Sequence, residues 1–296
     1  NFRYALYGAA IVFLIITLIF GGGEIGGVNR WLDLRAFPVQ PAELAKVLVI
    51  LSLAGFLADR KDSISSLRTV LLSLAFVGVP AGLIFLQPNL STAVVFMFVW
   101  LVMIVTAGIR ARHLAAILGL GALTLPLIWL AMADYQRERI IAFLDPARNP
   151  AAKYNLDQAL TGIGNGGWLG QGYSGGSQSQ LHFLKVRHTD FIFSVTAEEL
   201  GFVGAIILIG LFASLLYRLI RTADRSRDTY GELLVVGVAA MIFFQAAINI
   251  AMNLNLGVVA GLPLPFVSYG GSSLITMLLA IGLAQSVNMR HKRIEF

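Results

Sequence analysis

Residues 191–217 read Phe191-Ile-Phe-Ser-Val-Thr-Ala-Glu198-Glu199-Leu-Gly201-Phe-Val-Gly-Ala-Ile-Ile-Leu-Ile-Gly-Leu-Phe-Ala-Ser-Leu-Leu-Tyr217 and run straight into Arg218, Arg221, Arg225 and Arg227. A helix rises about 1.5 Å per residue, so roughly 20 mostly apolar residues cross a bilayer's hydrocarbon core. This stretch is long enough, and the arginines mark where it leaves the membrane. Seven further runs meet the same test: Tyr4–Gly22, Pro41–Ala58, Arg68–Leu86, Ser91–Gly108, Leu114–Met132, Leu233–Leu254 and Ser272–Met289. The eight together predict an all-α, polytopic membrane protein with a single transmembrane domain over 1–296. Composition agrees: 57% of residues are hydrophobic and 13% charged, against about 25% charged in soluble domains. Cysteine is absent, which excludes disulfides and thiolate metal sites.

The connections alternate in charge. Arg60, Lys61 and Arg68 fall on one side with Arg110 and Arg112, the cluster Arg218–Arg227, and Arg290, Lys292 and Arg293. The short loops Gln87–Leu90 and Asn255–Gly271 on the other side hold no Lys or Arg. The positive-inside rule makes the basic set cytoplasmic and predicts that Gly23–Gln40 and the large loop 133–190 face outward. The net charge of +6 lies in these clusters, a topology signal rather than a nucleic-acid surface. Asn1 is not an initiator and the first run lacks a small-residue cleavage site, so the chain is expected to begin partway into a longer protein.

Ionisable groups in or beside spans are expensive and invite a functional reading. Pro41 suits the first position of a helix, and Glu43 and Lys46, three apart, can pair on one face. Spacing leaves two readings open, a self-neutralising ion pair or an outward-facing helix N-terminus suited to an anionic headgroup. In Lys185-Val-Arg187-His188-Thr189-Asp190, Asp190 stands where the outer loop enters the membrane, and position alone favours a helix N-cap. Glu198 and Glu199 follow two turns deeper. One should face a cavity or a partner, or hydrogen-bond to a neighbouring helix.

Gly162, Gly164 and Gly167 form a G-x-G-x-x-G, but no strand precedes it, so a dinucleotide site is excluded on context. Flexible backbone that lets the loop dip into the outer leaflet is the expected role of Gly162–Gly172. Pro263, Pro265, Gly270 and Gly271 interrupt the helix at the mouth of the last span, an irregularity tolerated where it is buried or lines a wet cavity. Asn249, Asn253 and Asn255 add polar surface there, or helix–helix hydrogen bonds. The four histidines are scattered, without zinc spacing.

Several strings in order resemble the SEDS family (shape, elongation, division and sporulation proteins, with RodA, FtsW and SpoVE branches). They are Arg30-Trp-Leu32, Gln40-Pro-Ala-Glu43-Leu-Ala-Lys46, Asp134-Tyr-Gln-Arg137, Phe143-Leu-Asp-Pro146, His188-Thr-Asp190-Phe-Ile-Phe with Glu198-Glu199-Leu-Gly201, and Pro263-Leu-Pro-Phe-Val-Ser-Tyr-Gly-Gly-Ser-Ser273. Gln178-Ser-Gln180-Leu181 is more similar to the RodA branch than to FtsW. Ala42, Lys185 and Asn29 depart from the usual Ser, Pro and small residue. Members of the family share ten spans, which implies that this chain starts at the third.

The resemblance implies a peptidoglycan glycosyltransferase that polymerises lipid II, a disaccharide-pentapeptide on undecaprenyl pyrophosphate, during cell elongation. The reaction is expected on the outer face of the bacterial cytoplasmic membrane. An α-linked donor giving a β-1,4 product needs one inverting displacement, hence one general base and charge stabilisation of the leaving group. Asp190 is the implied base. Arg30, Lys46, Lys185 and Arg187 are the implied cations for the pyrophosphates, with Glu43 orienting Lys46. Gln40, His188, Glu198, Glu199, Ser268 and Tyr269 are carried over as substrate-binding. A divalent cation would assist the pyrophosphate, and the sequence shows no dedicated site for one. The expected partners are a class B penicillin-binding protein transpeptidase and other elongation-complex proteins (MreC, MreD). Two rivals are a lipid II flippase and a non-catalytic scaffold for the transpeptidase. The ionisable residues concentrate toward one side, which favours surface chemistry over alternating access, and a scaffold leaves Asp190 and the glutamates without a purpose.

Overall fold

A computed structural model describes residues 2–21, 31–33, 38–145, 150–176 and 188–290. Each expected span is a helix: α1 Phe2–Phe20, α2 Pro41–Ala58, α3 Leu67–Leu86, α4 Leu90–Thr106 and α5 Ala111–Ala131. The sixth to eighth spans are α8 Ile192–Asp224, α9 Thr229–Asn253 and α10 Gly271–Arg290. Between them the large loop contains two further helices, α6 Asp134–Leu144 and α7 Pro150–Gly166. Seven of the helices are long and apolar enough to cross a membrane, and α4 is a shorter apolar one. The boundaries of α2 coincide with the expected span. By contrast, α8 and α9 run past the expected ends because polar residues outside a bilayer continue a helix at little cost. A two-residue antiparallel pairing, Leu32 opposite Val39, leads into α2.

The helices divide into two compact units, and α8 and α9 contribute to both. In the first unit (1–131, 217–242 and 271–296) α2 is the interior helix, with 14 of its 18 residues buried. α1 lies against α2 and α3, and α10 against α2. Polar contacts fasten these packings where hydrocarbon gives no hydrophobic drive between helices. Tyr7 Oη donates to the Phe76 carbonyl at 2.9 Å, and Gln87 Nε2 to that of Leu14 at 2.8 Å. Trp100 Nε1 donates to Ser73 Oγ at 3.0 Å. At the basic end Arg3 pairs with Asp59 and donates to the Gly55 carbonyl at 2.8 Å. α5 buries no residue.

In the second unit (132–216 and 243–270) the central feature is a break in α8. Gly201 has φ 68° and ψ −168°, a region open essentially to glycine alone. An unbroken helix would carry the Phe202 and Val203 N–H groups to the Glu198 and Glu199 carbonyls. Here the segment after α7 inserts instead. Phe202 N donates to the Gly167 carbonyl at 2.8 Å and Val203 N to that of Trp168 at 3.1 Å. In return, Gln171 N and Gly172 N donate to the Glu198 and Glu199 carbonyls, each at 3.0 Å. These four backbone groups, which the break deprives of helical partners, are satisfied, as an apolar setting requires.

This corrects the expectation of a flexible loop at Gly162–Gly172. Gly162 to Gly166 belong to α7, and residues 167–172 are locked onto α8 by main-chain hydrogen bonds. Gly201→Ala should lower the thermal unfolding midpoint of the detergent-solubilised protein. The backbone conformation alone costs on the order of 1–3 kcal/mol, and a Cβ would press on the backbone of Leu169 and Gly170. An unchanged midpoint would show that the break is not held as described.

Candidate functional site

Asp190 sits on the turn that precedes α8. Phe191, buried among Leu156 and Ala159 of α7 with Val195 and Val259 beside it, anchors that turn. Three consecutive carbonyls are then held from outside the turn. Tyr269 N donates to the His188 carbonyl at 2.9 Å, and Ser268 Oγ to that of Thr189 at 2.7 Å. The Asp190 carbonyl accepts from Asn253 Nδ2 at 2.9 Å and Asn249 Nδ2 at 3.2 Å. Asn249 and Asn253 are a helical turn apart on α9, so both amides reach the same side. Ser268 also accepts from Leu264 N at 2.7 Å, and Asn249 donates to the Leu262 carbonyl at 2.8 Å. The Pro- and Gly-broken segment 261–269, together with Asn249 and Asn253 of α9, is therefore the brace that fixes the backbone of residues 188–190. Leu262, Leu264 and Pro265 of this segment are buried, while Gly261 and Tyr269 at its two ends are exposed.

The cap that position alone suggested for Asp190 is supplied by another residue. Asn253 Oδ1 accepts from Ser194 N at 3.1 Å and from Ser194 Oγ at 2.6 Å. Ser194 is the third residue of α8, the usual target of an N-cap side chain.

Beside Asp190 stands Arg139 of α6, a residue that no motif in the sequence singles out. Gly261 makes room for the two: a Cβ there would lie 3.4 Å from Arg139 Nη1 and 3.6 Å from Asp190 Oδ2. Gly261 has φ +63°, so a side chain would be strained as well as intrusive. Arg139 Nη1 donates to the Val259 carbonyl at 3.4 Å, and its guanidinium lies 5.7 Å from the centroid of the Tyr135 ring. Burial raises the Asp190 carboxyl above its ordinary range; the charge of Arg139 and a hydrogen bond with Thr189 oppose that rise. A half-buried carboxylate with a raised affinity for protons, backed by one guanidinium, has the character of a general base. Sequence offered little to find Arg139: Arg137 and Arg139 are near neighbours, and only the tertiary structure shows Arg137 pairing with Asp134 at 3.5 Å while Arg139 lies close enough to Asp190 for its charge to act there.

The other expected site residues fall in several places. His188 is exposed, and the Tyr269 side chain is 82% exposed. Glu198 is wholly buried, whereas Glu199 Oε1 accepts from Ser174 N at 3.1 Å, an exposed contact to the turn after α7 rather than to a neighbouring helix. Gln40, Glu43 and Lys46 belong to the first unit. There Lys46 Nζ bonds Glu43 Oε1 at 2.8 Å, and both side chains are almost fully buried. The geometry is that of the closed ion pair rather than an open helix terminus. A cavity of about 10 Å³ adjoins Lys46, among Val49, Leu53, Val77 and Phe96. Gln40 N donates to Ser272 Oγ at 3.2 Å, tying the start of α2 to α10. Arg30, Lys185 and Arg187 lie outside the described residues, as do Gln178 and Gln180. Among the described residues no cluster of His, Asp or Glu could hold a metal ion.

Known proteins resemble this chain along nearly its whole length. Escherichia coli K12 peptidoglycan glycosyltransferase MrdB is 38% identical over 292 residues, 98% of this chain and 78% of that protein. The probable peptidoglycan glycosyltransferase FtsW of Thiomicrospira cyclica is 40% identical over 291 residues, 96% of this chain and 74% of that protein. A chain from a peptidoglycan synthase complex, described as coordinating polymerization and crosslinking, superposes with a TM-score of 0.82 at 36% identity, covering 98% of this chain and 82% of that one. The crystal structure of Thermus thermophilus rod shape determining protein RodA gives 0.70 at 33% identity, covering 98% and 79%. With the family model matching residues 2–293 as well, the chain belongs to the FtsW/RodA/SpoVE family of cell cycle proteins.

Proposed function

We propose that this protein is a peptidoglycan glycosyltransferase that polymerises lipid II at the outer face of the cytoplasmic membrane, with Asp190 as its general base. Relatives named for that activity, 38–40% identical to it, support the reaction class. The observation that carries the assignment to Asp190 is the brace: three successive carbonyls pinned from elements far off in sequence, with a half-buried carboxylate at the end. Such preorganisation matters because a base displaced by about 1 Å can cost about 10²-fold in rate.

In the proposed step the Asp190 carboxylate takes the proton of the acceptor sugar hydroxyl. The hydroxyl oxygen attacks the donor's anomeric carbon from the face opposite the lipid pyrophosphate, which leaves with the bonding pair. One displacement inverts the α linkage to β and needs no second carboxylate. Arg139 keeps enough of Asp190 ionised to act, against the effect of burial. Arg30, Lys185 and Arg187 are the cations that the family resemblance offers to the pyrophosphate, whose charge is best offset where water is excluded. The solved relative that joins polymerization to crosslinking supports a crosslinking partner here as well, a class B penicillin-binding protein. Glycan-strand formation from lipid II by the full-length protein with its transpeptidase, itself blocked, tests the reading. Absence of strands from the wild-type complex would overturn it.

A pH dependence follows. Asp190 works only when ionised and its carboxyl titrates above the ordinary range. Polymerisation should therefore fall off on the acid side at a pH above that of a solvated aspartate. Arg139→Gln removes the charge that holds the carboxyl down, so the acidic limb should move to higher pH. A limb that stays in place in Arg139→Gln would remove Arg139 from this role.

A further inference from the structure

Within the first unit, a cleft of about 800 Å³ opens where the start of α9, just after Arg227, and the end of α10 at Arg290 meet α2. Its size falls in the range of small-molecule sites, roughly 300–1,000 Å³. Arg227, Arg290, Ser226, Ser286 and Tyr230 supply its polar wall. Leu51, Leu234 and Leu283 supply an apolar wall beside them. One acidic side chain, Asp228, also lines it, but its Oδ1 is engaged at the start of α9, accepting from Gly231 N at 3.0 Å. Ser226 Oγ donates to the Asp228 carbonyl at 3.1 Å, which steadies the turn that carries Arg227. None of these residues takes part in the chemistry proposed around Asp190.

We propose that this cleft binds an anionic phospholipid, its phosphodiester between Arg227 and Arg290 and an acyl chain along the leucines. Guanidinium groups match phosphate oxygens in planar, bidentate fashion and are the side chains of choice for such recognition. A bare phosphate would leave the apolar wall and most of the volume unfilled, whereas an amphiphile uses both. Basic pockets between helices at the cytoplasmic side are where anionic headgroups bind. The leaflet rests on the orientation proposed above. The binding itself does not, and its test reads no polymerisation, so the two readings can fail separately.

The test is native mass spectrometry of the purified full-length protein with phosphatidylglycerol, phosphatidylcholine and glycerol phosphate as probes. The wild type should retain phosphatidylglycerol at least about tenfold better than phosphatidylcholine, because two basic residues line the headgroup site. Arg227→Gln with Arg290→Gln should abolish that preference. Arg218→Gln with Arg221→Gln, which removes equal charge on the same stretch outside the cleft, should keep it, and each variant's thermal midpoint reports that it is folded. Equal retention of the two lipids by the wild type would overturn the proposal, as would equal loss in both double variants, the mark of diffuse attraction. Competition by glycerol phosphate as strong as by phosphatidylglycerol would reassign the site to a soluble phosphate and overturn the lipid.

Discussion

Asp190→Asn, in the full-length protein with its blocked transpeptidase, should lower lipid II polymerisation by about 10²- to 10⁴-fold, the usual contribution of a general base. The same variant should fold at least as well as the wild type. A carboxyl whose folded-state affinity for protons is raised stabilises the fold only below its unfolded pKa. That contribution is lost as pH rises through the folded value, so at neutral pH the ionised side chain disfavours folding. An amide removes that penalty. It leaves the backbone brace intact, since Asn253, Asn249 and Ser268 hold carbonyls rather than the carboxylate. Activity and stability should therefore separate, as at a site where function is kept at the expense of stability. Glycan strands formed at the wild-type rate would remove Asp190 from the chemistry. Loss of both activity and folding would return it to a structural role.

The second large effect concerns Glu43 and Lys46. Replacing Lys46 by Met leaves a buried carboxylate without its partner, and Glu43→Gln strands the ammonium. Either should destabilise by about 3–5 kcal/mol, the cost of an uncompensated buried charge. The double variant should recover most of that, because a buried pair is worth little more than well-packed neutral groups. Thermal unfolding of all four proteins in detergent closes the cycle. Singles no less stable than the double would mean that the pair is not closed as the 2.8 Å contact indicates. A double variant that is stable but unable to polymerise would give the pair the pyrophosphate role implied by the family resemblance.

Helix positions were legible because transfer into hydrocarbon is decided locally. Each window of about 20 residues is apolar enough or it is not, whatever lies elsewhere in the chain. The spans from Pro41–Ala58 to Gly271–Arg290 follow from that term, even where Glu43 and Lys46 interrupt it. The same locality explains why Asp190 could be singled out, standing where a charged loop meets an apolar run. Its surroundings were not legible. The side chain that caps α8 comes from Asn253, 59 residues beyond Ser194. Nor did anything local mark Arg139 as the guanidinium next to Asp190, or Gly261, over a hundred residues on, as the position that makes room for it.

The glycines show the division most plainly. Composition marked Gly162–Gly172 as unusual and suggested a pliable loop, because glycine's conformational freedom is a property of the residue itself. Whether that freedom is used for motion or for close approach depends on what lies opposite. Opposite it lies the broken α8, whose Glu198, Glu199, Phe202 and Val203 backbone groups need partners that only an inserted stretch of chain can give. By itself, then, the sequence determined the membrane class, the places of the eight apolar helices and the family motifs, and it set an expected sidedness by charge. The tertiary structure alone decided which polar groups meet: hydrogen bonds and ion pairs act over about 3 Å, and only packing brings residues tens of positions apart within that reach.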